Sequence, residues 1–208
     1  MANTKRHTQR SFFVEMLRAL GRNRLLPAEL QVPPKAIDDL TASGLGPMFY
    51  RQLTQSNFAQ RVDTQQKLQA ADMTARVLAA EQFENTAAAI RILNDCDARP
   101  VILKGTSFAL RYYPEPHLRT MGDTDLLVRP EAIEKAEAAL LHHGYRKYQP
   151  TGGVDYATHI HSAPLYHPDR KHWIELHRAL MPVRFPTSAE VPLNLSNYGE
   201  LLQPTELD

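Results

Sequence analysis

Between residues 60 and 94 the chain contains neither glycine nor proline. A breaker-free stretch of that length, with Val62, Leu68, Val77, Leu78, Phe83, Ile90 and Leu93 at helical spacing, predicts one long helix. The segments before it read the same way. Phe12, Phe13, Met16, Leu17 and Leu20 recur at helical spacing, and Gly21 supplies a stop. Pro27, Pro33 and Pro34 interrupt the chain, after which residues 35–42 and 45–53 read as two short helices. The first hundred residues are therefore expected to be all-helical.

At Arg99-Pro100 the pattern changes. Val101-Ile102-Leu103 reads as a short buried strand, and Gly105 opens a helix that ends near Tyr113, before Pro114 and Pro116. Residues 125–129 predict a second strand. Pro130 then begins a helix with Glu131 and Glu134 in its first turns, which Gly144 terminates. Residues 145–149, 157–167 and 172–177 read as three further strands. Past Met181 the periodicity fades. A helical first part followed by strand-helix-strand-helix-strand-strand-strand predicts an α+β or mixed α/β fold. The domain division this implies is a helical region over 1–98, an α/β core over 99–181 and an irregular tail over 182–208.

Composition narrows the function only a little. The chain has 208 residues, 43% of them hydrophobic and 23% charged, which suits a globular protein with a real core. A formal net charge of +1 provides no global basic field for nucleic acid, although a local patch stays open. Cys96 is the only cysteine, so no disulfide forms within the chain, and a cytoplasmic location is expected. The N-terminal residues are polar and basic with no long apolar run after them, so no membrane association is expected.

The chemistry is concentrated in two short stretches. Lys104-Gly105-Thr106-Ser107 is a small-residue turn after an apolar strand, and Gly122-Asp123-Thr124-Asp125-Leu126-Leu127-Val128 is a pair of carboxylates leading into another. Alternate strand residues share a face, so Asp123 and Asp125 are expected to present their oxygens side by side. Two carboxylates held together repel each other, and a hard divalent cation such as Mg2+ or Mn2+ relieves the repulsion. In Trp173-Ile174-Glu175-Leu176-His177, Glu175 alternates away from Ile174 and Leu176; it either completes a metal site or faces solvent on an edge strand. Lys104 either reaches a phosphate as a point charge or leaves its head in water, and Arg119 either clamps a phosphate, braces the aspartates or stays exposed. His159 and His161 sit at strand period, a spacing that would also suit zinc, while His177 shares the face of Glu175.

Leu-Lys-Gly-Thr-Ser (103–107), Tyr-Tyr-Pro-Glu-Pro-His-Leu-Arg-Thr-Met-Gly-Asp-Thr-Asp-Leu-Leu-Val (112–128) and Ile-Glu-Leu-His (174–177) resemble the bacterial uncharacterised nucleotidyltransferase family, within the DNA polymerase beta-like nucleotidyltransferase superfamily. The resemblance implies a small mixed sheet flanked by helices, with Mg2+ (or Mn2+) as cofactor and a nucleoside triphosphate as substrate. It assigns Asp123, Asp125 and Glu175 to the metal, and Gly105 with Thr106 or Ser107 to the turn that holds the phosphates. The turn departs from the commoner Gly-Ser or Gly-Gly pair, and the chain stops at Asp208 where relatives continue, so a short member and a truncated one are both expected possibilities. The expected reaction is transfer of a nucleoside monophosphate to an acceptor hydroxyl with release of pyrophosphate. The acceptor is unknown: a small molecule, tRNA or a protein. The alternative is a catalytically silent nucleotide-binding or protein-interaction module of the same fold.

Overall fold

A computed structural model describes residues 32–56, 62–148, 155–156 and 159–180, together with the isolated positions Val14, Met16, Arg18 and Arg24. The helix expected around residues 12–20 falls mostly outside the described residues. So do the tail past Met181 and the start of the strand expected over 157–167. Among the described residues the chain is α+β, with five helices and a five-stranded mixed sheet. No helix among them is long and apolar enough to cross a membrane.

The chain forms two compact units, one of residues 1–79 and 114–120, the other of residues 80–113 and 121–208. The first contains α1 (Pro34–Ala42), α2 (Gly46–Gln55) and the opening turns of the long helix α3 (Val62–Asp95). Pro34 sits at the start of α1, where its missing N–H costs nothing. Met16, Ile37, Leu40, Phe49, Leu53 and Leu68 form the core of this unit. Gly44, at φ +74°, turns the chain between α1 and α2; a Cβ there would meet the Thr120 hydroxyl at 2.6 Å. A polar network braces the segment that contains Pro116–Leu118. Buried His117 lies 2.9 Å from Asp72, Asp72 pairs with Arg76, and Glu115 pairs with both Arg76 and Arg51 at 2.8 Å.

The 34 residues of α3 form one uninterrupted helix, as the absence of breakers predicts. Its buried stripe differs from the expected one. Leu68, Asp72, Ala79, Thr86, Ala89 and Leu93 are buried, whereas Val62, Val77 and Leu78 are more than half exposed. Steps of seven residues from Asp72 to Leu93 mark the face that turns inward.

The second unit is built on the sheet, in the order β1-β2-β5-β4-β3. The strands are β1 (Val101–Ile102), β2 (Thr124–Leu127), β3 (Arg146–Lys147), β4 (Leu165–His167) and β5 (His172–His177). All neighbours pair antiparallel except β2 and β5, which are parallel. Their register sets Thr124 against Ile174, Asp125 against Glu175, Leu126 against Leu176 and Leu127 against His177. One face of this pair, carrying Leu126, Ile174 and Leu176, joins Ala89, Leu93, Ile133, Ala136, Leu140 and Leu165 in the core. The opposite face carries Asp125, Glu175 and His177.

Two helices flank these strands in sequence. α4 (Lys104–Tyr112) follows β1, and α5 (Ile133–His142) follows a 3-10 turn at Pro130–Ala132. α5 ends where expected, with Gly144 at φ +94° and the Tyr145 N–H bonded to the Leu140 carbonyl at 3.1 Å. The strand expected over 157–167 is shorter. Among its described residues only Leu165–His167 pairs as a strand, and His161 makes a single bridge to His177. The Ser162 N–H to the Leu176 carbonyl and the Arg178 N–H to the Ile160 carbonyl, both 2.8 Å, bracket that bridge antiparallel to β5, and Pro164, which has no N–H, interrupts the ladder before β4.

Candidate metal centre

Parallel pairing of β2 with β5 sets Asp125 directly opposite Glu175, with His177 one pleat further along the same face. The result is a compact donor set: Asp125, Glu175 and His177 each offer one ligand atom, and all three lie within 4.8 Å of one another. His177 Nε2 donates to Asp125 Oδ1 at 2.8 Å and stands 3.6 Å from Glu175 Oε2. Lys104, the first residue of α4, sends its ammonium to Asp125 Oδ1 at 2.5 Å. It reaches that position from a left-handed backbone, φ +42°, which a side chain adopts only against steric resistance.

The electrostatics of the cluster follow from these contacts. Burial by itself would push the Asp125 carboxyl up; hydrogen bonds from His177 and Lys104 outweigh it and hold the group below its ordinary value. The nearby His177 ring likewise lowers Glu175, against its burial. For His177 burial favours the neutral ring, yet the hydrogen bond to Asp125 and the neighbouring Glu175 carboxylate raise it. Asp123 goes the other way: desolvation, then the charges of Asp125 and Glu175, push it up. A site whose carboxylates are driven in opposite directions is the electrostatic pattern of a functional site more than of a core.

The sequence-derived residues fall into three groups. Asp125 and Glu175 converge, joined by His177, whose place on the Glu175 face the alternation of β5 had indicated. Asp123 feels both charges but precedes β2, is exposed, and is not one of the three converging donors. The strand begins at Thr124, one residue after it, so Asp123 lies outside the β2–β5 ladder. Gly105, Thr106 and Ser107 form the first turn of α4 after Lys104. Thr106 is buried and its hydroxyl has no hydrogen-bond partner, while a Cβ on Gly105 would meet only the Met121 side chain, at 3.4 Å. Neither φ nor packing within the protein therefore demands glycine at 105, and the buried Thr106 hydroxyl beside it has no protein partner. Arg119 lies in the other compact unit and donates to the Thr120 carbonyl at 3.0 Å.

His172 is the residue that sequence reasoning placed least well. It is buried at the start of β5, on the core face, and links Tyr145 Oη (2.8 Å) to Thr124 Oγ1 (3.0 Å). Thr124, between the two aspartates, also contacts Thr86 Oγ1 and Gln82 Nε2, each at 2.8 Å. The middle residue of Asp-x-Asp is thus tied through the sheet to α3 and β5, which fixes the face on which Asp125 emerges. The even-numbered alternation of His172 with Ile174 and Leu176 is the signal that would have found it.

Acidic residues on a mixed sheet, next to the first turn of a helix with a small-residue sequence, define a nucleotidyltransferase-like protein. The chain belongs to the uncharacterised nucleotidyltransferase family, whose family model matches residues 33–202. No curated protein and no solved structure gives a significant match.

Proposed function

We propose that the protein transfers a nucleoside monophosphate from a nucleoside triphosphate to an acceptor hydroxyl, with release of pyrophosphate. The observation that carries this reading is the register of β2 and β5, which seats Asp125 opposite Glu175 where Lys104, at the start of α4, reaches them. A carboxylate pair with an adjacent imidazole fits a divalent ion by the chemistry of its donors. Asp125 and Glu175 would hold Mg2+ or Mn2+, with Asp123 as the further carboxylate at the exposed edge. Such an ion supplies charge neutralisation for the triphosphate and lowers the pKa of an acceptor hydroxyl.

The remaining work falls to the chain's own groups. Backbone N–H groups of the first turn of α4 point toward an anion, and the bare Gly105 lets a phosphate come close. The Thr106 and Ser107 hydroxyls add donors, and Lys104 adds a point charge. The acceptor is a small molecule, a tRNA end or a protein side chain, and the setting is the cytoplasm.

The test is incubation with each α-labelled triphosphate, Mg2+ or Mn2+ and a cell lysate, followed by identification of the labelled molecule. Label should move to one acceptor class, and Asp123→Asn and Asp125→Asn should each abolish transfer while leaving the circular dichroism unchanged. Near-normal turnover in either purified variant would sink the mechanism. Nucleotide binding with no labelled product under any metal would instead identify a silent nucleotide-binding module.

A further inference from the structure

The ammonium of Lys104 sits where a cation belongs. Nζ lies 2.5 Å from Asp125 Oδ1, 3.4 Å from His177 Nε2 and 3.9 Å from Glu175 Oε2. Those are the residues whose ligand atoms converge within 4.8 Å. A divalent ion held by the same oxygens needs contacts of about 2.0–2.6 Å, which leaves no room for a charged nitrogen bonded to Asp125 Oδ1. Ion and ammonium exclude each other by space and by charge.

The two partners also differ in freedom to move. The Asp125 side chain is 5% exposed and fixed on the central strand, whereas that of Lys104 is 56% exposed. The Lys104 backbone is also left-handed, at φ +42°. The flexible, strained and exposed member is the one that can leave.

We propose that Lys104 is the resident counter-ion of this site and that a divalent ion enters only by displacing it, the freed ammonium then facing the triphosphate. The inference rests on the reading of Asp125, Glu175 and His177 as a cation site, and it adds a tethered competitor to that site. Its consequence is that the protein without nucleotide binds metal weakly. A triphosphate, which offers the displaced ammonium a new anionic partner, strengthens metal binding.

The test is titration of the full-length protein with Mn2+ alone, free Mn2+ being read by electron paramagnetic resonance, on wild type and Lys104→Met. Removing the competitor should tighten Mn2+ binding about tenfold, the scale set by loss of one charge-assisted hydrogen bond. Adding Asp125→Asn to Lys104→Met should abolish the gain. Thermal melts identify a misfolded variant, in which case Lys104→Gln gives the same comparison. Equal or weaker Mn2+ binding without Lys104 overturns the proposal, as does a gain that survives Asp125→Asn. A wild type that transfers no label refutes the transferase reading while leaving the Mn2+ comparison to decide the role of Lys104.

Discussion

Acidification should destabilise this protein through one buried ring, His172, and the size of the effect follows from its surroundings. His172 is 1% exposed, and its pKa is lowered from 6.5 to about 4, first by burial and then by the charges of Arg170 and His167. A neutral ring satisfies its neighbours: the Tyr145 hydroxyl donates to Nδ1, and Nε2–H donates to Thr124 Oγ1. Protonation would place an N–H against the Tyr145 hydroxyl, itself kept un-ionised by burial that pushes it up to about 12. Because the folded-state pKa is depressed, the unfolded chain binds the extra proton first, so stability falls as pH drops below 6.5 and stops falling near 4. From about pH 7 to about pH 5 this single group should remove about 2 kcal/mol. Other groups titrate in the same window, so the measurement is a difference. Urea unfolding at a series of pH values, followed by circular dichroism, should give the wild type a steeper pH dependence than His172→Gln by that amount. Tyr145→Phe, which removes the donor facing Nδ1, should lie between them. Parallel stability curves for wild type and His172→Gln would refute the argument.

The hub of the same network gives a second test. Thr124→Val keeps the shape of the side chain but strips hydrogen-bond partners from Thr86, Gln82 and His172, at a cost of about 1–3 kcal/mol in urea unfolding. Gly144→Ala forces a side chain onto φ +94° with the His167 ring 3.1 Å away, and should lower stability by about 1–2 kcal/mol. The two aspartates should separate in thermal melts near neutral pH. Asp123→Asn removes a carboxylate that desolvation and like charges disfavour and should hold or raise the melting temperature, whereas Asp125→Asn breaks the pairs with His177 and Lys104 and should lower it. A shared direction for both variants would contradict the assignment of opposite environments.

Much of the architecture was legible because it depends on local chemistry. The unbroken α3, the Gly144 stop and the alternation of β5 follow from breaker content, left-handed geometry and period two. What could not be read is what long-range pairing decides. Val77 and Leu78 are as apolar as Leu68, and only the partners of α3 determine which of them is buried. The 157–167 stretch alternates like a strand, yet its described residues pair with β5 only in a short antiparallel bridge before Pro164 interrupts it. In the site, the Asp-x-Asp pattern pointed to this part of the chain, but only the strand boundary separates its two acids. β2 begins at Thr124, so Asp125 inherits the strand face and Asp123 stays outside the ladder. Lys104 shows the same limit: neither reading of it from sequence included a salt bridge to Asp125, because that contact needs β2 and the start of α4 already in place.

The arrangement of β2 and β5 works against stability at its most important point. Like charges directly opposed on neighbouring strands are destabilising, and the register opposes Asp125 to Glu175. The pairing is also the parallel one in an otherwise antiparallel sheet, which requires the chain to cross over through α5, β3 and β4 between its halves. An uncharged pair at these positions would carry no such repulsion. The fold instead keeps two acids in register, turns a histidine from the same strand onto both, and bends Lys104 into left-handed backbone to reach them. Gathering acids, a histidine and a lysine on one face, while the other face buries Leu126, Ile174 and Leu176, is what a site selected for binding looks like. In the proposed reading a divalent ion on these carboxylates would offset the repulsion between Asp125 and Glu175.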